Sequence, residues 1–421
     1  MSLAENIPEF PHIRYLCVVR EVFRLRRIGA AADMVHVSQP AATQALARVE
    51  KILGVALFER RQMGMYPTEA GQLFARRLER ILDHLTRGDS LARRRAPRSE
   101  SGRTRKAFHT FCTPVQLRAL LAIANAGSFS QAASELGVKQ PGVHRAAREL
   151  AALAGFELFE QTRGGVVLTA AAEIFAQHVR LAVSEFRQAA FEINELLGRD
   201  VTTINIGSLP LSRTAILPSA IDAMIREAGA GVQLNCVDAR YDTLLRDLRF
   251  GNLDFLIGAL RFPKPAGDVE QEELFTDHLA VVASPDHPLA GRAQVDLKDT
   301  LDFPWIAPPR STPSGAYLFE TLRIQDMPNT PVRTVSSSMV LLRGLLARGD
   351  YISIASERQV EVDEQMGALV RLPVDLPGSG RAIGLTFRKN WSPTPIQNRF
   401  LEIIRARATD EPTDGDNNIF K

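Results

Sequence analysis

Between residues 12 and 53 the apolar positions recur at intervals of three and four, which predicts three short helices at about 12–23, 29–36 and 38–53. Only Met34-Val35-His36-Val37 joins the second to the third, so these two must cross steeply, the geometry of a helix-turn-helix. Further along the chain the pattern returns. From Ile28 with Phe129 to Ala75 with Ala176 the sequence matches itself without a gap at an offset of 101 residues, with about a third of positions identical. Ala31-Ala32 answers Ala132-Ala133, and Thr68 answers Thr169. Upstream, "HIRYLCVVRE" and "QLRALLAIAN" correspond if the first copy holds about three extra residues before Ile28. In the second copy Gly137 suits the left-handed position that the tight turn needs.

Each third helix carries polar residues where they can act. Ser38 would cap the first of them and Pro40 sits in its first turn, where a missing N–H costs nothing. Val49, Ile52, Leu57 and Phe58 would pack inward. Gln39, Thr43, Gln44 and Arg48 would face out on turns that fit a major groove, and they are types able to read base edges. Arg60 and Arg61 precede "QMGMYPT", a β-hairpin wing suited to phosphate or the minor groove. In the second copy Lys139, Gln140, His144, Arg145 and Arg148 take the exposed side, and "TRGGVVLT" supplies a wing with Arg163. Taken singly, an exposed Arg or Gln is usually part of a solvated face. Turn, cap, proline, basic face and wing together, written twice, point to a winged DNA-binding fold.

After the second wing a long helix is expected from Thr169 to about Leu197. Its stripe of Phe175, Ala182, Phe186, Ala190, Ile193 and Leu197 suits pairing with a second chain, or packing on its own domain. A shorter helix from Glu69 to Leu85 has a similar stripe of Leu73, Leu78, Ile81, Leu82 and Leu85. "RGDSLARRRAPRSESGRTRKA" between the copies reads as a disordered basic tether, either adding phosphate binding or merely solubilising. From Thr203 short apolar strands alternate with amphipathic helices, which argues for mostly parallel sheet covered on both sides, with one lobe at about 203–295 plus 380–406 and another at about 300–375.

Charge sharpens this division. The net +3 of the 421-residue chain is distributed as +9 over residues 1–107, −1 over 108–200 and −5 over the remainder. A polyanion partner is expected for the basic end and another task for the rest. No long apolar run and no basic-then-apolar leader is present, so a cytoplasmic protein without a membrane span is expected. Cys17, Cys112 and Cys236 are too scattered for a disulfide framework or metal site and read as small buried hydrophobes. No metal constellation, phosphate loop or nucleophile elbow appears, so no catalytic residue, metal or cofactor is assigned.

The segments "AAADMVHVSQPAATQALARVEKILGVALFERRQMGMYPTEAGQLF" and "GSFSQAASELGVKQPGVHRAARELAALAGFELFEQTRGGVVLTAAAEIF" both resemble the winged helix-turn-helix of LysR-type transcriptional regulators. Residues 108–421 resemble a complete regulator of that kind, and residues 1–107 an additional copy of its DNA-binding domain. The effector region is similar to the branch that includes regulators of sugar uptake and protocatechuate catabolism. The resemblance implies a multidomain chain: a first winged helix-turn-helix (10–86), a basic flexible linker (87–107), a second winged domain (108–169), a linker helix that forms the dimer (170–199), a two-lobed α/β periplasmic-binding-protein-like effector domain (202–406) and a disordered tail (407–421). It also implies a double-stranded DNA operator, a small-molecule effector (a sugar or an aromatic acid), and a homodimer or homotetramer. Ser208, Leu209, Pro210, Gly258, Ser311, Thr312, Ser336 and Ser337 fall at strand ends or helix starts, where small molecules bind in open α/β sheets. They match positions lining the inter-lobe cleft of the family, although each also reads as an ordinary cap.

The copies depart from the family in different places. The first has Arg26-Arg27-Ile28 in place of a Gly-Ser-Phe entry. The second has Lys139 at the cap and Gly142 inside the recognition helix, which together weaken that helix by about 1–2 kcal/mol. Either both copies bind DNA or one has become a packing and dimerisation module. An enzyme-fused regulator with pyridoxal phosphate would need an anchored lysine, and beyond residue 200 Lys264, Lys298, Lys389 and Lys421 stand in no such setting. A solute-binding protein of transport is the remaining alternative, and the doubled DNA-binding pattern counts against it.

Overall fold

The computed structural model describes residues 10–97, 107–199, 202–214, 216–327 and 331–409. The chain divides into two compact units, one of residues up to Thr202 with Arg249–Asn252, the other of Thr203–Leu248 with the chain from Leu253. Residues 98–106 of the expected linker and 410–421 of the expected tail lie outside the described residues.

In the first unit one element order occurs twice: α1 (Ile13–Leu25), α2 (Ile28–Val35), α3 (Gln39–Leu53), β1 (Phe58–Arg61), β2 (Gly64–Pro67) and α4 (Glu69–Arg95), then α5 (Pro114–Ala126), α6 (Phe129–Glu135), α7 (Gln140–Ala154), β3 (Phe159–Thr162), β4 (Gly165–Leu168) and α8 (Ala170–Leu196). Leu16, Val19 and Val22 are buried at the positions of Leu117, Leu120 and Ile123, so the 101-residue register holds through the first helix too. The expected three-residue insertion is therefore absent. Arg26 ends α1 in the left-handed conformation (φ 59°), as Gly127 ends α5 (φ 63°). The carbonyls of both accept a 2.9 Å hydrogen bond from the wing, from Met65 N and Val166 N respectively. An arginine thus occupies the place where glycine carries no steric cost, and the sequence motif is lost while the turn survives.

Of the two readings of the α8 stripe, packing within the chain is the one seen, since α4 covers Phe175, Ala182, Phe186 and Ile193. The two helices run antiparallel: Arg77 in α4 meets Glu185 and Glu192 in α8, whereas Gly88, further along α4, meets His178 and Phe175. A Cβ at Gly88 would lie 2.5 Å from that of His178, so glycine permits the close approach. Leu78, Ile81, Leu82 and Leu85 share one core with Phe175, Ala182, Phe186 and Ile193. Helix α4 also continues past the expected end at Leu85, so residues 87–95 are helix and not tether. Arg87 pairs with Asp83, Arg93 with Asp89, and Ala92 is fully buried, which adds side-chain pairing and burial to arginine's good helix propensity. Beyond the linker, His109 binds Asp89 through its ring (2.8 Å) and its backbone N–H (3.1 Å), docking the returning chain on α4.

In the second unit, β5 (Thr202–Ser208), β6 (Val232–Asp238), β7 (Phe255–Ala259), β8 (Val269–Asp277), β9 (Leu279–Ala283), β10 (Trp305–Ala307), β11 (Val332–Val335), β12 (Ile352–Ser356), β13 (Val370–Leu372) and β14 (Arg381–Arg388) form two five-stranded sheets. Their orders are β6-β5-β7-β14-β8 and β11-β10-β12-β9-β13. The sheets are mixed, not mostly parallel: β14 runs antiparallel to β7 and β8, and β9 antiparallel to β12 and β13. The second lobe begins at Leu279 and not near 300, because β9 lies at the heart of its sheet. The chain crosses between lobes twice, at Asp277–Leu279 and again between Leu372 and Arg381. Strands delivered by a crossing enter against the direction of their neighbours.

Candidate DNA-reading faces and effector cleft

Helix α3 begins as its sequence dictates, with the Ser38 hydroxyl accepting from Ala41 N and Pro40 in the first turn. Ala42, Ala45, Leu46 and Val49 face the core, leaving Ser38, Gln39, Pro40, Gln44 and Arg48 exposed on the opposite side. Thr43 is half-buried and its hydroxyl donates to the Gln39 carbonyl, so it supports the helix more than it faces out. The preceding turn places His36 in the left-handed region (φ 55°), where the second copy has Gly137 (φ 64°). Arg14 secures this turn by donating to the His36 carbonyl at 2.8 Å. On the wing Arg60 and Arg61 are exposed, and Arg61 pairs with Glu59 and lies over the Tyr66 ring.

In α7, Val143, Ala146, Ala147 and Leu150 face the core, and Lys139, Gln140, Arg145 and Arg148 are exposed. Lys139 gives the helix no side-chain cap. His144 does not stand free: its ring stacks on Phe129 at 3.8 Å between centroids and approaches Gln140 Nε2 at 3.3 Å. Arg163 is exposed on the second wing.

In the second unit a cleft of about 1110 Å³ lies between the two sheets. Leu209, Pro210, Ser311, Thr312 and Ser337 line it, as expected. Ser208, Gly258 and Ser336 do not. Ser208 is fully buried behind the wall, its hydroxyl donating to the Val237 carbonyl. Gly258 (φ 150°) packs so closely on Leu209 that a Cβ would lie 2.5 Å from the Leu209 Cβ. Ser336 accepts from Ser338 N, and Ser338, not Ser336 or Ser337, caps the helix Met339–Leu346. Thr312 also acts as a cap, accepting from Gly315 N while donating to the Pro309 carbonyl.

The cleft's charge was not anticipated from the sequence. Arg213, Arg240, Arg261, Arg343 and Arg381 line it against Asp238 and Asp242. Arg213 pairs with Asp238, Arg343 with Asp363, and Arg381 with Asp277 and Ser314. Arg261 instead lies over the Tyr241 ring, 4.4 Å from its centroid, and burial pulls its guanidinium below the ordinary value. Tyr241 Oη, Arg213 Nε and Arg381 Nε are buried without a hydrogen-bond partner among the described residues. Arg381 also ties the lobes at the second crossing, since Asp277, which it contacts, accepts from Ser356 Oγ at 2.8 Å. These arginines come from five separate places in the sequence, so no local motif marks them. Among the described residues no group of three His, Cys, Asp or Glu is placed to hold a metal, and no helix is long and apolar enough to cross a membrane.

The sequence model of the family described as "LysR substrate binding domain" matches residues 198–409, and that described as "Bacterial regulatory helix-turn-helix protein, lysR family" matches twice, at 13–72 and 114–173. The chain belongs to the LysR family. It is a DNA-binding transcriptional regulator with an effector-binding domain. Among curated LysR-type relatives, the HTH-type transcriptional regulator GalR of Pseudomonas putida is 28% identical over 405 residues, covering 96% of this chain and 99% of GalR. PcaQ of Agrobacterium fabrum is 28% identical over 292 residues, covering 69% of this chain and 94% of PcaQ. A full-length OxyR variant from Pseudomonas aeruginosa, 23% identical, shares the fold at a TM-score of 0.50 over 70% of this chain and 94% of its own. The two helix-turn-helix matches start 101 residues apart, the register that the buried positions keep.

Proposed function

We propose that both winged domains of this LysR-family chain bind one operator and that an anionic small molecule in the inter-lobe cleft controls that binding. The chain then has two reading heads, residues 10–67 and 107–168, each carried on a long helix, and an effector domain from 202 to 409 built as two lobes on a double crossing, the plan of periplasmic-binding-protein-like domains. The observation that carries the DNA reading is that α3 and α7 both bury their apolar positions and expose Gln and Arg side chains on the opposite face. Neither face is covered by the rest of the chain, which supports two reading heads over one.

For the effector, Arg213, Arg343 and Arg381 are paired with carboxylates, and the remaining lining charges, Arg240 and Arg261 against Asp242, favour an acid over a neutral sugar. Arg261 stacked on Tyr241 offers a cation beside an aromatic face, a combination suited to an aromatic carboxylate such as the protocatechuate named for the resembled branch. Protocatechuate and a neutral hexose are the probes. Calorimetric titration should show binding of the acid alone, weakened by about tenfold or more in Arg261→Gln, as for the loss of a charge-assisted hydrogen bond. Binding of the hexose alone, or of an acid indifferent to R261Q, would overturn the effector reading.

A further inference from the structure

The geometry points to a chain that carries its own dimer: α4 and α8 hold the two heads in inverted orientation, so one chain reads a pair of unlike half-sites. This rests on the reading that both heads bind DNA.

The antiparallel pair has an internal twofold relation. Under the 101-residue correspondence Arg77 is equivalent to His178, Glu185 to His84 and Glu192 to Leu91. The contact of Arg77 with Glu185 (2.8 Å) is therefore mirrored by His84 with His178, whose rings lie 5.8 Å apart. Residues related by the correspondence meet about an axis passing near Ile81 and Leu82 of α4 and Ala182 and Val183 of α8. Each head packs on its own long helix, α1 on α4 and α5 on α8. The twofold that relates the helices thus relates α3 to α7, as it relates recognition helices over inverted half-sites.

The charges specify this pairing over its alternatives. Arg77 is 4% exposed and binds Glu185 and Glu192, which are 9% and 11% exposed, while Arg80 adds a 2.7 Å contact to Glu185. In the same register, α4 paired with another α4 would set Arg77 against His84 and Leu91, leaving a buried cation with no carboxylate. An α8 paired with another α8 would set Glu185 and Glu192 against His178 in place of Arg77. Only α4 with α8 neutralises the cluster, and burial penalises the alternatives.

The heads differ where they face DNA. Ser38, Gln44 and Arg48 of the first correspond to Lys139, Arg145 and Glu149 of the second, while Gln39-Pro40 and Gln140-Pro141 agree. Because different side chains select different bases, the half-sites must differ.

The test uses the full chain. Its site is selected from random DNA, the number of chains on the minimal site is counted by native mass spectrometry, and two symmetrised sites are built, each repeating one half-site in inverted orientation. Two unlike half-sites per bound chain are expected, with both symmetrised sites bound about tenfold or more weakly. A palindrome of like half-sites with one chain on each would overturn the inference. The variant Q44A/R48A separates the possible failures. If it weakens binding and releases one half-site while chains and half-sites are equal in number, the two-headed reading stands and the intrachain pairing falls. If its affinity and footprint match those of the unaltered chain, the two-headed reading falls and the inference with it.

Discussion

The two heads keep one fold with different local chemistry. The first caps its recognition helix with Ser38, and the second enters the same helix with uncapped Lys139 and then Gly142. Conversely, the second caps its preceding helix with Ser128 and ends α5 with Gly127, while the first places Arg27 and Arg26 there without a cap. Each head is locally weak where the other is strong, and the packed positions are the same in both. Buried side chains thus carry the fold, and caps adjust it by amounts that packing can absorb. The difference extends into the helix pair. On the side of the first head Arg77 and Arg80 neutralise two carboxylates, and on the side of the second the equivalent place holds His84 and His178. Burial alone would raise the Glu185 carboxyl, yet Arg80 and Arg77 outweigh it and hold it below the ordinary value. Burial pushes His84 down to about 4, so that imidazole is neutral at pH 7.

The largest expected effect comes from breaking the charged end. Arg77→Ala would take its guanidinium from Glu192 and leave Glu185 with Arg80, and should cost about 3–5 kcal/mol, read as a fall in the thermal midpoint of the first unit. Acid should attack the histidine end. His84 stays neutral in the fold while its unfolded counterpart protonates near 6.5, so its contribution is intact above that pH and is lost as pH falls towards 4, to a total of about 3 kcal/mol. Chemical denaturation at a series of pH values should show His84→Leu losing less stability over that window than the unaltered chain. At the DNA, Arg48→Ala should weaken operator binding by about 1–3 kcal/mol if it contacts a base. The smallest change should strengthen the weaker head. The site of Gly142 is open, with nothing within 4 Å of an added Cβ, so Gly142→Ala should stabilise α7 by about 1 kcal/mol, measurable as slower amide exchange there.

Much of the fold was legible where local signals were strong. The three-helix pattern, the wings, the Ser38 cap and the outward faces of α3 and α7 follow from spacing alone, and the 101-residue repeat showed them twice. What covers a helix stripe was not legible, because an apolar stripe specifies a partner's character and not its identity. The stripes of α4 and α8 were both visible, but Arg77 and Glu185 lie 108 positions apart and nothing local couples them. Arg87–Arg95 read as tether from composition, although Ala92 and Asp89 are buried by tertiary contacts. In the cleft, residues beside strand ends were legible, but Ser208 and Gly258 proved to be packing positions. Arg261 and Arg381 converge there because β14 pairs with β7 in the register of Ile383 with Ala259, across 120 positions of sequence.

If one chain presents two DNA-reading heads, each should be removable without the other. Deleting residues 1–106 would strip α4 from α8 and bare its apolar face, so substitution within intact heads is the cleaner test. Operator affinity should be measured against salt concentration for the full chain, for Q44A/R48A and for R145A/R148A. Both variants should bind more weakly with a shallower salt dependence, each releasing a different half of the footprint. If either variant matches the unaltered chain in affinity, slope and footprint, its head does not read DNA and the chain is not two-headed.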